Sequence, residues 1–234
     1  MGIAERRKRE RLMRQKMIQE AALELFIKKG FYSVKMEDIS ERAELSIATL
    51  YLYFKSKDDL YASLIEIALH YLHDQIQAIF ESKSLDPKAK ILGFKEGLYK
   101  TYQLHPTIFR IIFHVQLYDT LTSIDPKILD RLNGTTQKIM RMIADTYKAG
   151  VRQGKFKTVK TVAIVDIFWA TFAGLVLWED SKQKLDPNKN FLKATLDQAF
   201  KLFINGALKD KQREVVIDRQ RVKNLRIRQG SKDH

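Results

Sequence analysis

Proline occurs at only four positions in this chain, 87, 106, 126 and 187, and each stands where a helix can begin. Almost everywhere else the apolar residues recur three and four apart, the period of an amphipathic helix rather than the alternation of a strand. Proline is tolerated in the first turn of a helix and excluded from its interior, so this placement predicts an all-α fold. Asp86, Asp125 and Asp186 directly precede three of the prolines, where a carboxylate can accept from the free N–H groups of a first turn; His105 precedes the fourth.

The N-terminal quarter divides into four predicted helices. Met17, Ile18, Ala21, Ala22, Leu25 and Phe26 form the apolar stripe of the first, which stops near Lys28-Lys29-Gly30. A short second helix over about 36–43 buries Met36, Ile39 and Ala43, with Ser33 available as its cap, and Glu44-Leu45 makes a brief turn. Ser46 can cap a third helix, about 47–54, that turns Leu50, Tyr53 and Phe54 inward. Ser56 and Asp59 have the spacing of a capping box for a long fourth helix through Leu60, Leu64, Ile67, Ala68 and Leu72 to about Glu81.

The remainder, 85–208, is predicted to supply about five helices, among them 125–152, 158–181 and 188–208. The apolar run 162–178 approaches a membrane span in length, but Asp166 and a loose amphipathic spacing make it a buried helix. The charged N-terminus has no uninterrupted apolar segment after it and does not read as a secretory signal. Neither it nor the run 162–178 calls for a membrane.

Among the 234 residues, 42 Lys and Arg against 28 Asp and Glu leave a formal net charge of +14, which suits a polyanion: nucleic acid or an anionic membrane surface. The absence of cysteine excludes disulfides and thiolate metal sites, and the five histidines form no pair four apart on a helix. The expectation is an intracellular, cytoplasmic protein with no metal and no cofactor. No Ser-His-Asp constellation can be placed and no Gly-rich phosphate loop is present, so an enzyme is not expected.

Two short helices joined by a tight turn, the second with a solvated face, form a helix-turn-helix whose second helix enters the major groove. The order of residues says more than the pattern. Ala21-Ala22, Leu25-Phe26, Gly30-Phe31, Asp38-Ile39, Ala43, Leu45-Ser46, Leu50-Tyr51, Tyr53-Phe54 and Ser56-Lys57-Asp58-Asp59-Leu60 together resemble the TetR family of transcriptional regulators. The resemblance covers residues 16–62 at the level of motifs; beyond about 85 it extends only to the all-helical layout.

The resemblance implies a homodimer that binds a double-stranded DNA operator and a small effector. It implies that Ile47 and Ala48 face base edges, and that Ser46, Thr49, Tyr51, Leu52, Tyr53 and Lys57 lie along the backbone. Lys35 stands with Val34 where the family commonly has a small polar pair, so a lysine contact replaces a hydroxyl cap there. Glu37 occupies a position often held by Arg, and Leu52 one that is commonly polar or aromatic. Physics adds to part of this set. A cation in the first turn of a helix opposes the macrodipole, at a cost of ~0.3–1 kcal/mol, so Lys57 gains from a phosphate nearby. Ile47 and Ala48 carry no hydrogen-bonding groups and could read DNA only through thymine methyl groups and close contact. Packing within the domain is the competing role for Ile47 and for Tyr51.

The implied layout places an N-terminal basic arm and helix-turn-helix domain in 1–56, an effector-binding and dimerisation domain in 57–208, and a basic extension in 209–234. An apolar or aromatic effector would meet Tyr102, Phe109, Phe113, His114, Tyr118, Tyr147, Asp166, Trp169, Phe172 and Trp178, though for each alone plain core packing is the more common role. The last two long helices resemble the family's dimerisation pair. Seven Lys and Arg lie within residues 1–16, and either track DNA or form a solvated extension of the first helix. The C-terminal extension is either a packed helix or a tail ordered with a partner. A constitutive, architectural DNA-binding protein without an effector is the competing function.

Overall fold

The computed structural model describes residues 2–109, 112, 124–186, 188 and 190–209. Its described helices are α1 (Ile3–Lys29), α2 (Met36–Arg42), α3 (Ile47–Tyr51), α4 (Lys57–Glu81), α5 (Pro87–Leu104), α6 (Pro126–Arg152), α7 (Thr161–Leu185) and α8 (Leu192–Ala207). No strand occurs among the described residues; an isolated antiparallel bridge joins Phe156 to Leu208. Contacts divide the described residues into two compact units, those within 2–74 and 100–138 and those within 75–99 and 139–209.

The first unit contains the helix-turn-helix. Ile18, Ala21, Ala22, Leu25 and Phe26 bury one stripe of α1 as the periodicity requires. Met17 departs from that reading and is exposed, because only every third or fourth residue of a straight helix meets the core. Gly30 ends the helix at φ 79°, a left-handed conformation that glycine adopts without penalty, and its N–H donates to the Phe26 carbonyl. α2 contributes Met36 and Ile39, α3 contributes Leu50, and Phe54 follows. Along α4, Leu60, Leu64, Ala68 and Leu72 are buried, whereas Ile67 is exposed, against the sequence reading. Ile108, Ile124 and Leu132 pack into the same cluster, so the compact unit that holds the helix-turn-helix includes more chain than residues 1–56.

In the second unit, Phe168 of α7 meets Phe200 of α8 edge-on, centroids 4.9 Å apart. Tyr147 stacks on Phe156 at 5.0 Å and 16°, and its hydroxyl donates to the Lys157 carbonyl at 3.0 Å. Gly150 permits this stack, since a Cβ there would lie 2.2 Å from the Phe156 ring. The buried Glu179 carboxylate accepts from the Phe191 N–H at 2.7 Å and pairs with Lys182 at 2.6 Å, joining the end of α7 to the start of α8. Buried Lys95 bridges Glu96 and Asp197.

α7 corrects the reading of 162–178 as a buried helix. Ile164, Val165, Phe168, Phe172 and Val176 are inside, but Val162, Ile167, Leu177 and Trp178 are exposed. α7 is long and apolar enough to cross a membrane by length and composition, yet 33% of that stretch is buried in the protein. It also runs three to four residues later than 158–181, and α8 begins at Leu192 rather than near 188. The C-terminal extension lies outside the described residues, apart from Lys209.

Candidate nucleic-acid interface

The start of α2 is capped by its own third residue. The Lys35 N–H donates to Asp38 Oδ2 at 2.7 Å, and Lys29 pairs with the same carboxylate at 3.2 Å. These two hydrogen bonds hold the Asp38 carboxyl below its ordinary range. Ser33 therefore does not cap α2; it lies two residues upstream of Lys35, which occupies the cap position. After α2 the chain turns through Glu44 at φ 55°, and the Leu45 N–H donates to the Ser40 carbonyl at 2.9 Å.

That turn delivers Ser46 to the N-cap of α3, where its Oγ accepts from the Thr49 N–H at 3.2 Å and lies 2.8 Å from the Thr49 hydroxyl. α3 is shorter than expected, ending at Tyr51, though Phe54 remains anchored through its N–H to the Leu50 carbonyl at 3.1 Å. With Leu50 wholly buried beneath, the orientation of this segment is fixed by packing. Ala48 and Ser46 are exposed; Tyr51 is 48% and Leu52 76% exposed. Thr49 is half-buried, as are Tyr53 and Ile47, and the latter two pack against the hydrophobic cluster. The structure thus brings Ser46, Ala48, Thr49, Tyr51, Leu52 and Tyr53 onto one short surface, with Ile47 partly withdrawn from it and Leu50 beneath.

Lys57 is held more tightly than a first-turn lysine in solvent. Its ammonium donates to the carbonyls of Phe31 and Val34, each at 2.9 Å, and sits 4.2 Å above the Phe31 ring. Desolvation pushes the ammonium pKa below its ordinary value. The unfavourable alignment with the α4 dipole is offset inside the chain, without a phosphate. An ammonium has three donors, so one N–H is left for a further acceptor. Lys35 is exposed.

Ser56 caps α4 as expected, its Oγ accepting from the Asp59 N–H at 3.0 Å. Asp59 does not complete the box. Its carboxylate is buried and accepts instead from the Asp125 N–H at 2.8 Å, while Asp125 Oδ2 pairs with Lys55 at 3.1 Å. Arg131 adds a two-pronged pair to Glu66, at 2.7 and 3.3 Å. Sequence reasoning missed these ties because nothing local signals a partner so distant in the chain.

The described effector candidates divide between the two units. Tyr102 and Phe109 pack edge-on at 5.9 Å in the first unit. In the second, Tyr147 and Phe172 are fully buried core, and Trp178 is 62% exposed. Asp166 and Trp169 line a cavity of about 400 Å³ with Met140, Arg141, Ala144, Lys148, Thr161, Val162 and Val165. Phe113, His114 and Tyr118 lie outside the described residues. Among the described residues, no group of three or more His, Cys, Asp or Glu is placed to hold a metal ion.

Fold and surface together define a helix-turn-helix protein. Residues 18–64 match the family model of bacterial regulatory proteins, tetR family. The HTH-type transcriptional repressor NicS of Pseudomonas putida is 27% identical over 140 residues, 60% of this chain and 64% of that relative. The HTH-type transcriptional regulator RutR of Escherichia coli is 24% identical over 158 residues, 68% of this chain and 71% of RutR. This chain thus spans just under two thirds of NicS. Among solved structures, PfmR from Thermus thermophilus has a TM-score of 0.66 at 20% identity, covering 82% of this chain and 99% of that one. FadR from Bacillus subtilis, solved with stearoyl-CoA, has a TM-score of 0.64 at 17% identity, covering 82% and 98%. Residues 18–64 thus match the TetR family, and the fold is an N-terminal helix-turn-helix domain followed by a larger helical C-terminal domain.

Proposed function

We propose that this protein is a cytoplasmic, homodimeric transcriptional repressor that leaves a palindromic operator when a small apolar effector binds. One observation carries the reading: α3 is pinned by fully buried Leu50 while Ala48, Tyr51 and Leu52 stay outside, a surface held rigid and left uncovered. Ala48, with Ile47 at its edge, offers apolar contact to bases; Ser46, Thr49, Tyr51, Leu52 and Tyr53, with Lys35 and the third donor of Lys57, follow the phosphates. Leu52 adds packing there rather than a hydrogen bond.

Dimerisation is supported by Ile167, Leu177 and Trp178 on α7 and Leu202 on α8, large apolar side chains exposed in the single chain. Two α3 helices about 34–36 Å apart then read successive major grooves. Effector binding draws on the cavity bearing Trp169 and Asp166, whose walls are mainly apolar. The stearoyl-CoA bound to FadR supports a lipid-like class, and the similarity to the repressor NicS supports repression. The effector acts through α4 by preferring one spacing of the recognition helices, since a ligand shifts an equilibrium only by its differential affinity. The second reading, a constitutive architectural protein, draws on the burial of Tyr147 and Phe172 in packed core.

Ala48→Glu places a carboxylate on the exposed face of α3 without touching the core. It is expected to abolish duplex binding in a mobility-shift assay while sedimentation still gives a dimer. Undiminished binding by a folded variant would remove α3 as the contacting element.

A further inference from the structure

The basic N-terminal residues are not a loose arm: they form the first four turns of α1, which runs unbroken from Ile3 to Lys29. No residue before Ile18 is buried, so this stretch is held by helix continuity and not by a core. Arg6 pairs with Glu10 at 3.3 Å and Lys16 with Glu20 at 3.6 Å. Arg7, Arg11 and Arg14 recur four and three apart on one face and have no acidic partner among the described residues. Like charges at these spacings repel one another, so the face is unfavourable for the helix by itself.

This face turns toward the end of the recognition helix. Arg7, Arg11 and Arg14 line one groove of about 420 Å³ with Leu52, Tyr53 and Glu10, and Glu10 is already paired with Arg6. The Arg11 guanidinium lies 6.0 Å from the centre of the Tyr53 ring. Seven residues of helix rise roughly 10 Å, and a DNA strand carries one charge per about 3.4 Å of axis, so the three arginines span about three phosphates.

We propose that the extension of α1 is a second DNA-contacting element, whose Arg7-Arg11-Arg14 face grips the phosphate backbone of the duplex flanking the bases under α3. The groove joins this grip to the Tyr53 end of the recognition segment and makes the two one continuous surface. The inference rests on the DNA-binding reading above. It adds affinity and footprint without sequence preference, because arginine on phosphate positions a protein and reads no base.

The test compares the full-length protein with R7Q/R11Q/R14Q and with K83Q/K100Q/K138Q, which removes equal charge at exposed positions elsewhere. Binding to a 40-base-pair duplex carrying a sequence selected by the wild type is followed by anisotropy across a salt series, with hydroxyl-radical footprinting. The arginine variant is expected to lose about 2.7 units of salt slope per protomer and roughly 100-fold in affinity near 0.15 M salt. Its footprint should shorten at both outer edges while the centre stays protected, and the lysine variant should match the wild type. Equal losses in the two variants, an unchanged slope, or an unchanged footprint would overturn the proposal. Failure of the wild type itself to bind any duplex would instead overturn the DNA-binding reading on which it rests.

Discussion

Asp59, in the first turn of α4, holds the backbone N–H of Asp125 on its buried carboxylate at 2.8 Å. With the Lys55–Asp125 pair, this bond fixes the start of α6 to the first turn of α4 and the residues just before it. Asp59→Ala would leave a buried N–H without an acceptor, a loss of about 1–3 kcal/mol. Urea unfolding is expected to register it, and Asp59→Asn, which keeps an acceptor oxygen, should recover most of the difference. Equal losses for both variants would assign the effect to charge rather than to the bond.

Lys57 links stability to binding. Removing its ammonium in Lys57→Ala takes one hydrogen bond from each of the Phe31 and Val34 carbonyls, so the thermal midpoint should fall. If its third donor reaches a phosphate, the same variant lowers the salt slope of DNA binding by about one unit. A lower midpoint with an unaltered slope would leave Lys57 as a brace for the 31–34 loop alone.

Gly150 is expected to tolerate no side chain. A methyl group at 2.2 Å from the Phe156 ring forces the Tyr147 stack apart, and overpacking of this kind costs about 1–3 kcal/mol. Gly150→Ala should therefore unfold at lower urea, and Phe156→Leu in the same chain should recover part of the loss. Wild-type stability of Gly150→Ala would mean that the ring moves freely.

Acid should destabilise the fold in two stages. Burial depresses the His105 pKa below 6.5, so the unfolded chain binds more protons and stability rises with pH across that window; it is lost as pH falls below about 6.5. The Asp38 and Asp125 carboxyls are depressed by N–H donors from Lys35 and Lys127 and by the ammonium groups of Lys29 and Lys55. Their contribution is complete above their unfolded value of 3.8 and disappears as pH drops through the lower folded values. Unfolding midpoints measured from pH 8 to pH 3 should decline in these two ranges. His105→Gln should erase the first decline and leave the second.

Much of this architecture is written locally. The spacing of Ile18, Ala21, Ala22, Leu25 and Phe26, the stop at Gly30 and the cap at Ser46 each depend on neighbours within a turn or two, and each appears in the structure where the pattern puts it. What depends on distant partners was not legible. Asp59 has a capping-box spacing, yet its acceptor role belongs to a residue 66 positions away. Lys57 looks like a dipole mismatch until the carbonyls of the 31–34 loop are seen around it. The period of α7 marks an apolar helix but cannot say that Ile167 and Trp178 stay uncovered in one chain. Aromatic residues likewise identify core and pocket equally well, which is why Tyr147 and Phe172 are packed while Trp169 borders a cavity.

Ile47 and Tyr51 separate reading from gripping. Tyr51→Phe removes a hydroxyl and should weaken binding to every duplex by a similar factor, because a phosphate contact ignores sequence. Ile47→Ala should shift the preferred base pairs, most of all at A·T positions under α3, as competition between single-base variants of a selected duplex would register. Uniform weakening by Ile47→Ala would mark it as a packing residue, in keeping with its partial burial against the core.

The central claim is that a dimer of this chain reads a specific duplex and releases it to a ligand. Selection of bound duplexes from a random pool, repeated in the presence of a panel of apolar compounds including long-chain acyl thioesters, tests it most directly. The expected result is one palindrome with half-sites about one helical turn apart, recovered without compound and lost with at least one of them. Recovery of duplexes with no shared sequence at moderate salt would contradict the claim and leave a basic helical protein bound to DNA by charge alone.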